Sequence, residues 1–321
     1  VRTVFGLMLL VVATTGLGNE ARSWLDRMSH AAKEQNYQGV LIYGAPERWE
    51  TMAINHAVYD DTEYEKLVHL TGERREVIRR GHAISCSHPG DHAVRVNPTS
   101  SNPLNTELWR DLGDLESWYR LSLAGEERIA GRMTQIVRVL PRDQYRFGYD
   151  LWLDRDTALL LRSDLVRHDG VVLERLQFAN VAIGIEMAKS EFEPDYEGHH
   201  LARHNHAEVS PVAATNAWQP GWVPSGFAPV NRGQSHGRHL ATLMYTDGLA
   251  AFSVFVDRLS NPEQSRTLRQ QWGATAAIVH DVLGDDGSYR ITVVGEVPMQ
   301  TAEKIAASVS VPALLTLQEE S

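Results

Sequence analysis

From Tyr37 onward the apolar residues recur at every second position, in short runs bounded by Gly-, Pro-, Asp- or Glu-rich turns. Successive strand side chains point to opposite faces, so this period commits the chain to half-buried antiparallel strands. The runs at 37–44, 50–59, 63–70, 74–80, 83–87 and 92–96 follow one another closely. Further runs cover 128–141 and 145–154, where Tyr149, Leu151 and Leu153 alternate with Asp150, Trp152 and Asp154. The clearest covers 158–178. Leu159, Leu161 and Leu165 share a face, Asp169-Gly170 is a dipeptide that suits a type I′ turn, and Val172, Glu174, Leu176 and Phe178 return.

Helical spacing is scarce. Residues 20–35 carry Trp24, Leu25, Met28, Ala31 and Ala32 on one stripe. After a loop at 97–105, residues 106–123 space Leu108, Trp109, Leu112, Leu115, Trp118, Tyr119 and Leu121 as one or two short helices would. Residues 19–193 therefore form one large antiparallel sheet with few helices to cover it. An unclosed β-barrel with an apolar hollow and a simply packed α+β domain both satisfy that pattern.

Residues 194–217 lose the periodicity and become rich in His, Ala, Asn, Glu and Pro, as an interdomain linker does. The remainder, 218–321, reads as a smaller α+β domain. An extended segment at 218–229 precedes four strands at 239–246, 250–258, 274–283 and 288–297. Gly284-Asp285-Asp286-Gly287 turns between the last two, and 301–309 is a helix with Ala302, Ile305, Ala306 and Val309 on one face. The overall class is α+β, mainly antiparallel β.

Residues 1–18 have the pattern of a secretory signal: Arg2, an apolar run at 4–13, then small residues, with cleavage expected after Gly18. The apolar run is too short for a stable membrane span, and no later stretch reaches the length that a span needs. Export to the periplasm follows as the expectation. The only cysteine is Cys86, so no disulfide can staple the chain internally and the fold must rest on its cores. A formal charge of −10 disfavours nucleic acid as a partner.

Candidate chemistry is thin. Gly233-Gln234-Ser235-His236-Gly237 matches G-x-S-x-G, and His280 with Asp247 or Asp257 supplies the residue types of a triad. The motif needs a buried strand before it and a helix after it, and neither pattern is present. His199, His200, His204 and His206 cluster in the linker, where His200 and His204 have i, i+4 spacing without helical patterning or a third ligand. Asp60-Asp61, Glu126-Glu127 and Asp285-Asp286 are adjacent turn residues whose side chains diverge. The expectation is no catalytic residue, no metal and no cofactor. Trp109, Trp118, Tyr119 and Trp152 in the large domain and Trp218 and Trp222 beside the linker are available for packing or for a partner.

Several stretches resemble the periplasmic regulators of the envelope-stress sigma factor, the RseB/MucB family. They include Trp24-Leu25 with Asn36-Tyr37-Gln38-Gly39-Val40, the hairpin 170–184, and Trp222-Val223-Pro224-Ser225-Gly226-Phe227. The run from Met244 through Tyr245-Thr246-Asp247-Gly248-Leu249 to Val256, and Val293-Val294-Gly295-Glu296-Val297-Pro298 with Thr301-Ala302, match further. The resemblance implies a lipoprotein-carrier-like unclosed barrel followed by a smaller α+β domain. It implies binding to the periplasmic domain of a membrane-anchored anti-sigma factor, which shields that factor from regulated proteolysis. Release by lipid or lipopolysaccharide, and assembly as dimers or larger oligomers, are implied too. Trp222, Tyr245 and Phe252 are the residues assigned to the partner surface on this basis. The rival reading is a periplasmic lipid or lipoprotein carrier.

Overall fold

The computed structural model describes residues 15–46, 48–81, 83–87, 114–195, 219–233, 241–259, 267–284 and 287–310. A ten-stranded antiparallel sheet dominates. Helix α1 (Thr15–Glu34) leads into β1 (Tyr37–Ala45), β2 (Arg48–Tyr59), β3 (Thr62–His69), β4 (Glu76–Arg80) and β5 (Ala83–Ser87). A short α2 (Leu115–Trp118) then opens β6 (Tyr119–Ile129), β7 (Arg132–Pro141), β8 (Gly148–Asp154), β9 (Leu160–Val166) and β10 (Val172–Ile183). The spatial order is β5-β4-β3-β2-β1-β10-β9-β8-β7-β6. Two meanders are thus joined by the pairing of β1 with β10, while β5 and β6 end the sheet without pairing to each other. The barrel is unclosed, as the resemblance implied and as one of the two readings of the strand pattern had it.

Helix α1 touches β6 and β7 at one end of that order and β2 on the other side of the β1–β10 seam, so the sheet curls around it. Its Ala21, Leu25 and Met28 are buried among Tyr37, Leu41, Ile54, Val137 and Leu151 from four strands. The apolar stripe read from the sequence is therefore the filling of the curl, and its burial drives the helix onto the sheet.

The hairpins show where turn chemistry acts. Asp60 and Asp61 both have positive φ (49° and 59°), and so do Ala130 and Gly131 (48° and 80°). Each pair makes the two-residue turn whose twist matches the strands it joins. Asp169-Gly170 does not. Only Gly170 is left-handed (φ 85°), and its N–H reaches Arg167 O while Arg167 N–H reaches Val171 O. The expected type I′ turn is replaced by a wider loop in which glycine supplies a single left-handed residue.

Two further expectations are corrected. Among the described residues, the helical reading of 106–123 survives only as α2, and β6 begins at Tyr119. There Tyr119 and Leu121 are buried at two-residue spacing, which also continued the helical stripe and so disguised the strand. The smaller sheet has six strands, not four, in the order β11-β12-β13-β16-β15-β14. The additions are β11 (Ala228–Gly233) and β14 (Leu268–Trp272), flanking β12 (Ala241–Thr246), β13 (Ala251–Arg258), β15 (Thr275–Gly284) and β16 (Gly287–Gly295). Every residue of β14 is exposed, so it has no apolar alternation to read. Helix α3 (Met299–Ser308) covers one face, burying Ala302, Ile305 and Ala306 against Val254, Ile278, Ile291 and Val293. The apolar run at 4–13 and residues 196–218, which hold most of the expected linker and its histidines, lie outside the described residues.

The β1–β10 seam depends on a close approach. A Cβ on Gly39 would lie 2.4 Å from the carbonyl oxygen of Asn180 and 3.0 Å from the Phe178 ring. Gly39→Val should therefore destabilise the large sheet by about 2 kcal/mol or more, read as a lower urea midpoint with an unchanged slope.

Candidate functional site

The two sheets meet at a buried polar junction. Arg146, in the turn between β7 and β8, has no exposed side-chain surface, and neither has Asp247, in the turn between β12 and β13. Arg146 Nη1 donates to Asp247 Oδ2 at 2.6 Å, Nη2 donates to Ser225 O at 2.5 Å and to Asp143 Oδ2 at 2.9 Å, and Nε donates to Asp143 Oδ1 at 3.2 Å. Tyr119 Oη donates to the same Asp247 Oδ2 at 2.9 Å. The other oxygen, Oδ1, accepts the backbone N–H groups of Leu249 and Ala250. Both oxygens of Asp247 therefore hold two donors, the satisfaction that a buried charge requires.

An aromatic collar surrounds the guanidinium. Its carbon lies 5.5 Å from the Trp118 and Tyr119 ring centroids and 5.1 Å from that of Phe227. Burial disfavours the Arg146 charge, but the Asp143 hydrogen bond and the Asp247 carboxylate outweigh it and hold the pKa above its ordinary value. Burial first, then the Asp247 charge, pushes the Tyr119 hydroxyl well up. Gly226 follows Ser225 with φ 91°, and a Cβ there would lie 2.5 Å from the Trp118 ring. That close approach explains the glycine of the Trp222–Phe227 motif: the turn must lie flat on the indole.

Three more contacts widen the junction. Tyr149 Oη donates to Leu249 O at 3.3 Å, and Thr301 Oγ1 of α3 donates to Tyr145 O at 3.2 Å. Glu174 of β10 accepts the Ala274 N–H at 2.8 Å. Leu249 and Ala274, from the smaller sheet's loops, are buried in the larger sheet's core. Beside these contacts, the half-buried Trp222 meets the Tyr145 ring edge-on at 5.1 Å, and Lys304 Nζ sits 3.8 Å from the Trp222 ring. A shallow groove lined by Pro141, Arg142, Asp143, Gln144, Tyr145 and His168 runs next to that pair.

Of the residues assigned to the partner surface, the structure places Trp222 at the junction rim. Tyr245 and Phe252 are buried in the core of the smaller sheet, where their rings stack at 5.1 Å on the β12–β13 pair. Asp247 is committed to Arg146 and Tyr119 rather than to His280, which lies in β15. Ser235 and the linker histidines lie outside the described residues. Among the described residues no group of three or more His, Cys, Asp or Glu side chains is placed to hold a metal ion. Arg146 and Glu174 carried no sequence signal of their role; Asp247 lay inside the Tyr245-Thr246-Asp247-Gly248 motif, which marked its turn but not its partner.

Family models give the same division into two parts. One described as the MucB/RseB N-terminal domain matches residues 20–196, and one described as the MucB/RseB C-terminal domain matches 212–310. The chain belongs to the MucB/RseB family. Sigma factor AlgU regulatory protein MucB of Pseudomonas aeruginosa is 34% identical over 319 residues, covering 95% of each chain. Sigma-E factor regulatory protein RseB of Escherichia coli K12 is 30% identical over 314 residues, covering 94% of each. Among solved structures, a MucA/MucB complex of P. aeruginosa matches with a TM-score of 0.76 at 34% identity, covering 92% of this chain and 100% of that one. MucB alone matches with a TM-score of 0.70. These family members are named as regulatory proteins of sigma factors, which is the class the sequence motifs indicated.

Removing one member of the buried pair tests how firmly it holds the sheets together. Asp247→Ala leaves the guanidinium buried with Asp143 as its remaining carboxylate partner, and should cost about 3 kcal/mol or more in denaturant unfolding. The same substitution should expose the Trp118 and Trp222 indoles, read as a red shift of tryptophan emission.

Proposed function

We propose that this chain is an exported, periplasmic negative regulator of an envelope-stress sigma factor. It binds the periplasmic domain of a membrane-anchored anti-sigma factor and shields it from regulated proteolysis. The observation that carries this reading is the end-to-end match to MucB, 34% identical over 95% of both chains, whose solved form includes a complex with MucA. In this reading residues 1–18 are the signal peptide, 19–193 the lipid-sensing unclosed barrel, 194–217 the linker and 218–321 the partner-binding domain.

The junction supports a two-state device. In this reading its directional hydrogen bonds hold one mutual arrangement of the two domains, and the polar segment that links them allows exchange for another. A lipid or lipopolysaccharide fragment held by the curled sheet releases the partner only if it prefers the arrangement that the partner does not bind. Trp222 is the partner contact in this scheme: it is half-buried, flanked by Tyr145 and Lys304, and borders the groove at 141–145. Tyr245 and Phe252 act behind it, as the packing that fixes the β12–β13 turn and hence Asp247. Homodimers or larger assemblies are part of the same reading.

The deciding measurement is titration of residues 19–321 with the periplasmic segment of the organism's own anti-sigma factor. Saturable binding at micromolar Kd or tighter, about −8 kcal/mol, is expected. Trp222→Ala should weaken it tenfold or more, and truncation from residue 210 should abolish it. No binding by folded, lipid-free protein overturns the proposal. Lipid transfer surviving that truncation would instead favour a lipid or lipoprotein carrier built on the large sheet alone.

A further inference from the structure

The smaller sheet ends on a strand with a bare outer side. β14 (Leu268–Trp272) pairs with β15 and closes the order β11-β12-β13-β16-β15-β14. All its residues are exposed, Leu268 at 46% and Trp272 at 54%. Sheet edges are commonly guarded by charge, proline or a bulge. β6, which ends the larger sheet, carries Arg120, Glu126, Glu127 and Arg128, and its register breaks between Leu123 and Glu126. β11, at the other end of the smaller sheet, carries Pro229. β14 has no proline, and its register with β15 is unbroken. Its one charge, Arg269, is bound to Glu303 of α3 at 2.7 Å.

The edge is also held still. Gly273 and Ala274 turn the chain into β15, with Gly273 at φ 54°, as the first place of a type II′ turn requires. That turn is pinned to the larger sheet. Glu174 accepts the Ala274 N–H at 2.8 Å, and a Cβ on Gly273 would meet Glu174 Oε1 at 2.5 Å. A two-residue turn closes on a hydrogen-bonded pair, here Trp272 with Thr275. Bonded and non-bonded pairs alternate along an antiparallel ladder, so Leu268, Gln270 and Trp272 turn their backbone groups toward β15. Those of Arg269 and Gln271 point outward. The side chains divide as well. Arg269 reaches α3, and its ladder partner Ile278 is buried in the core that α3 covers. Arg269 and Gln271 therefore share the α3 face, and Leu268, Gln270 and Trp272 line the other.

We propose that two copies of this chain associate through β14, edge to edge and antiparallel about Gln270. This gives a surface to the self-association in the functional reading and rests on that part of it. The strand is complementary to itself in this register. Arg269 of one copy lies opposite Gln271 of the other, and these are the residues whose backbone groups point outward, so two bonded pairs form. Gln270 faces its own copy across the twofold axis, where an amide can both donate and accept. Leu268 lies opposite Trp272, giving an aliphatic–aromatic pair on each side of the axis. No like charges stand opposite each other, whereas centring the pairing on Arg269 would oppose two guanidinium groups. A five-residue edge buries less than the roughly 1,200 Å² of a stable interface. The association is therefore weak: mostly monomer at about 1 μM and largely dimer at about 500 μM.

Sedimentation velocity of residues 19–321 from about 5 to 500 μM tests the pairing. The sedimentation coefficient should rise toward that of a dimer, and amide exchange at Arg269 and Gln271 should slow in step. Gln270→Lys alters an exposed side chain and keeps every backbone bond to β15, yet it sets two ammonium groups on the axis. That variant should stay monomeric throughout. Gln270→Glu should do the same, and an equimolar mixture of the two variants should restore the dimer. A wild type still monomeric at the highest concentration, or a dimer that Gln270→Lys leaves intact, would overturn the proposal. So would protection of the Arg269 and Gln271 amides that appears only when the anti-sigma segment is added, which would assign the edge to that partner. Titration with the segment at about 1 μM, where the chain is monomeric, reads the regulator proposal separately. Gln270→Lys should bind the segment as the wild type does. Loss of segment binding by both proteins would sink the regulator reading and leave the dimer standing.

Discussion

A guanidinium with no exposed surface constrains everything around it. Arg146 can sit at the centre of this molecule only because Asp143, Asp247 and the Ser225 carbonyl meet it from two different sheets. Each of those groups depends on local structure in turn: the β12–β13 turn aims Asp247, Gly226 lets the Ser225 turn lie against Trp118, and Tyr119 shares the Asp247 oxygen. Replacing such a cluster by apolar residues would give comparable stability without fixing direction. The directional hydrogen bonds set one mutual orientation of the sheets, and that orientation brings Trp222 against Tyr145, a residue of the groove.

Much of the architecture was legible because a strand period is a local signal. The helix at 20–35, the hairpins through 37–87 and 128–178, and the closing helix all carry their apolar residues at the spacing their elements require. What escaped was ambiguous or silent. Tyr119 and Leu121 fit a helix stripe and a strand face equally, and the strand won because the neighbouring β7 offered backbone partners that a helix could not use. β14 has exposed side chains on both faces, so nothing in its composition separates it from loop. β11 begins with Ala228 and Pro229, a poor strand opening that sheet-edge position tolerates.

The site was less legible for a different reason. Arg146 and Asp247 lie 101 residues apart, and Glu174 and Ala274 lie 100 apart. No spacing rule connects them. Family motifs located Trp222, Gly226, Asp247 and Gly295 as marked positions, and turn geometry accounts for Gly226 and Gly248, whose φ values are 91° and 98°. Gly295 proved to need room rather than an unusual backbone angle. Tyr245 and Phe252 were marked by the same motif, and in the structure they are the packing under the turn rather than its surface.

The seam between β1 and β10 also governs how the molecule is made. Partners such as Tyr37 and Ile183, or Leu41 and Phe178, are separated by most of the large sheet's length. While the chain is being made, the first meander can assemble, but β1 keeps a bare row of amide and carbonyl groups until the last strand arrives. Such an edge is a template for any passing strand, and pairing that must wait for distant residues is slow. The folding problem of this protein is therefore concentrated at one seam, and the interval before it closes is when a nascent chain is most exposed to aggregation.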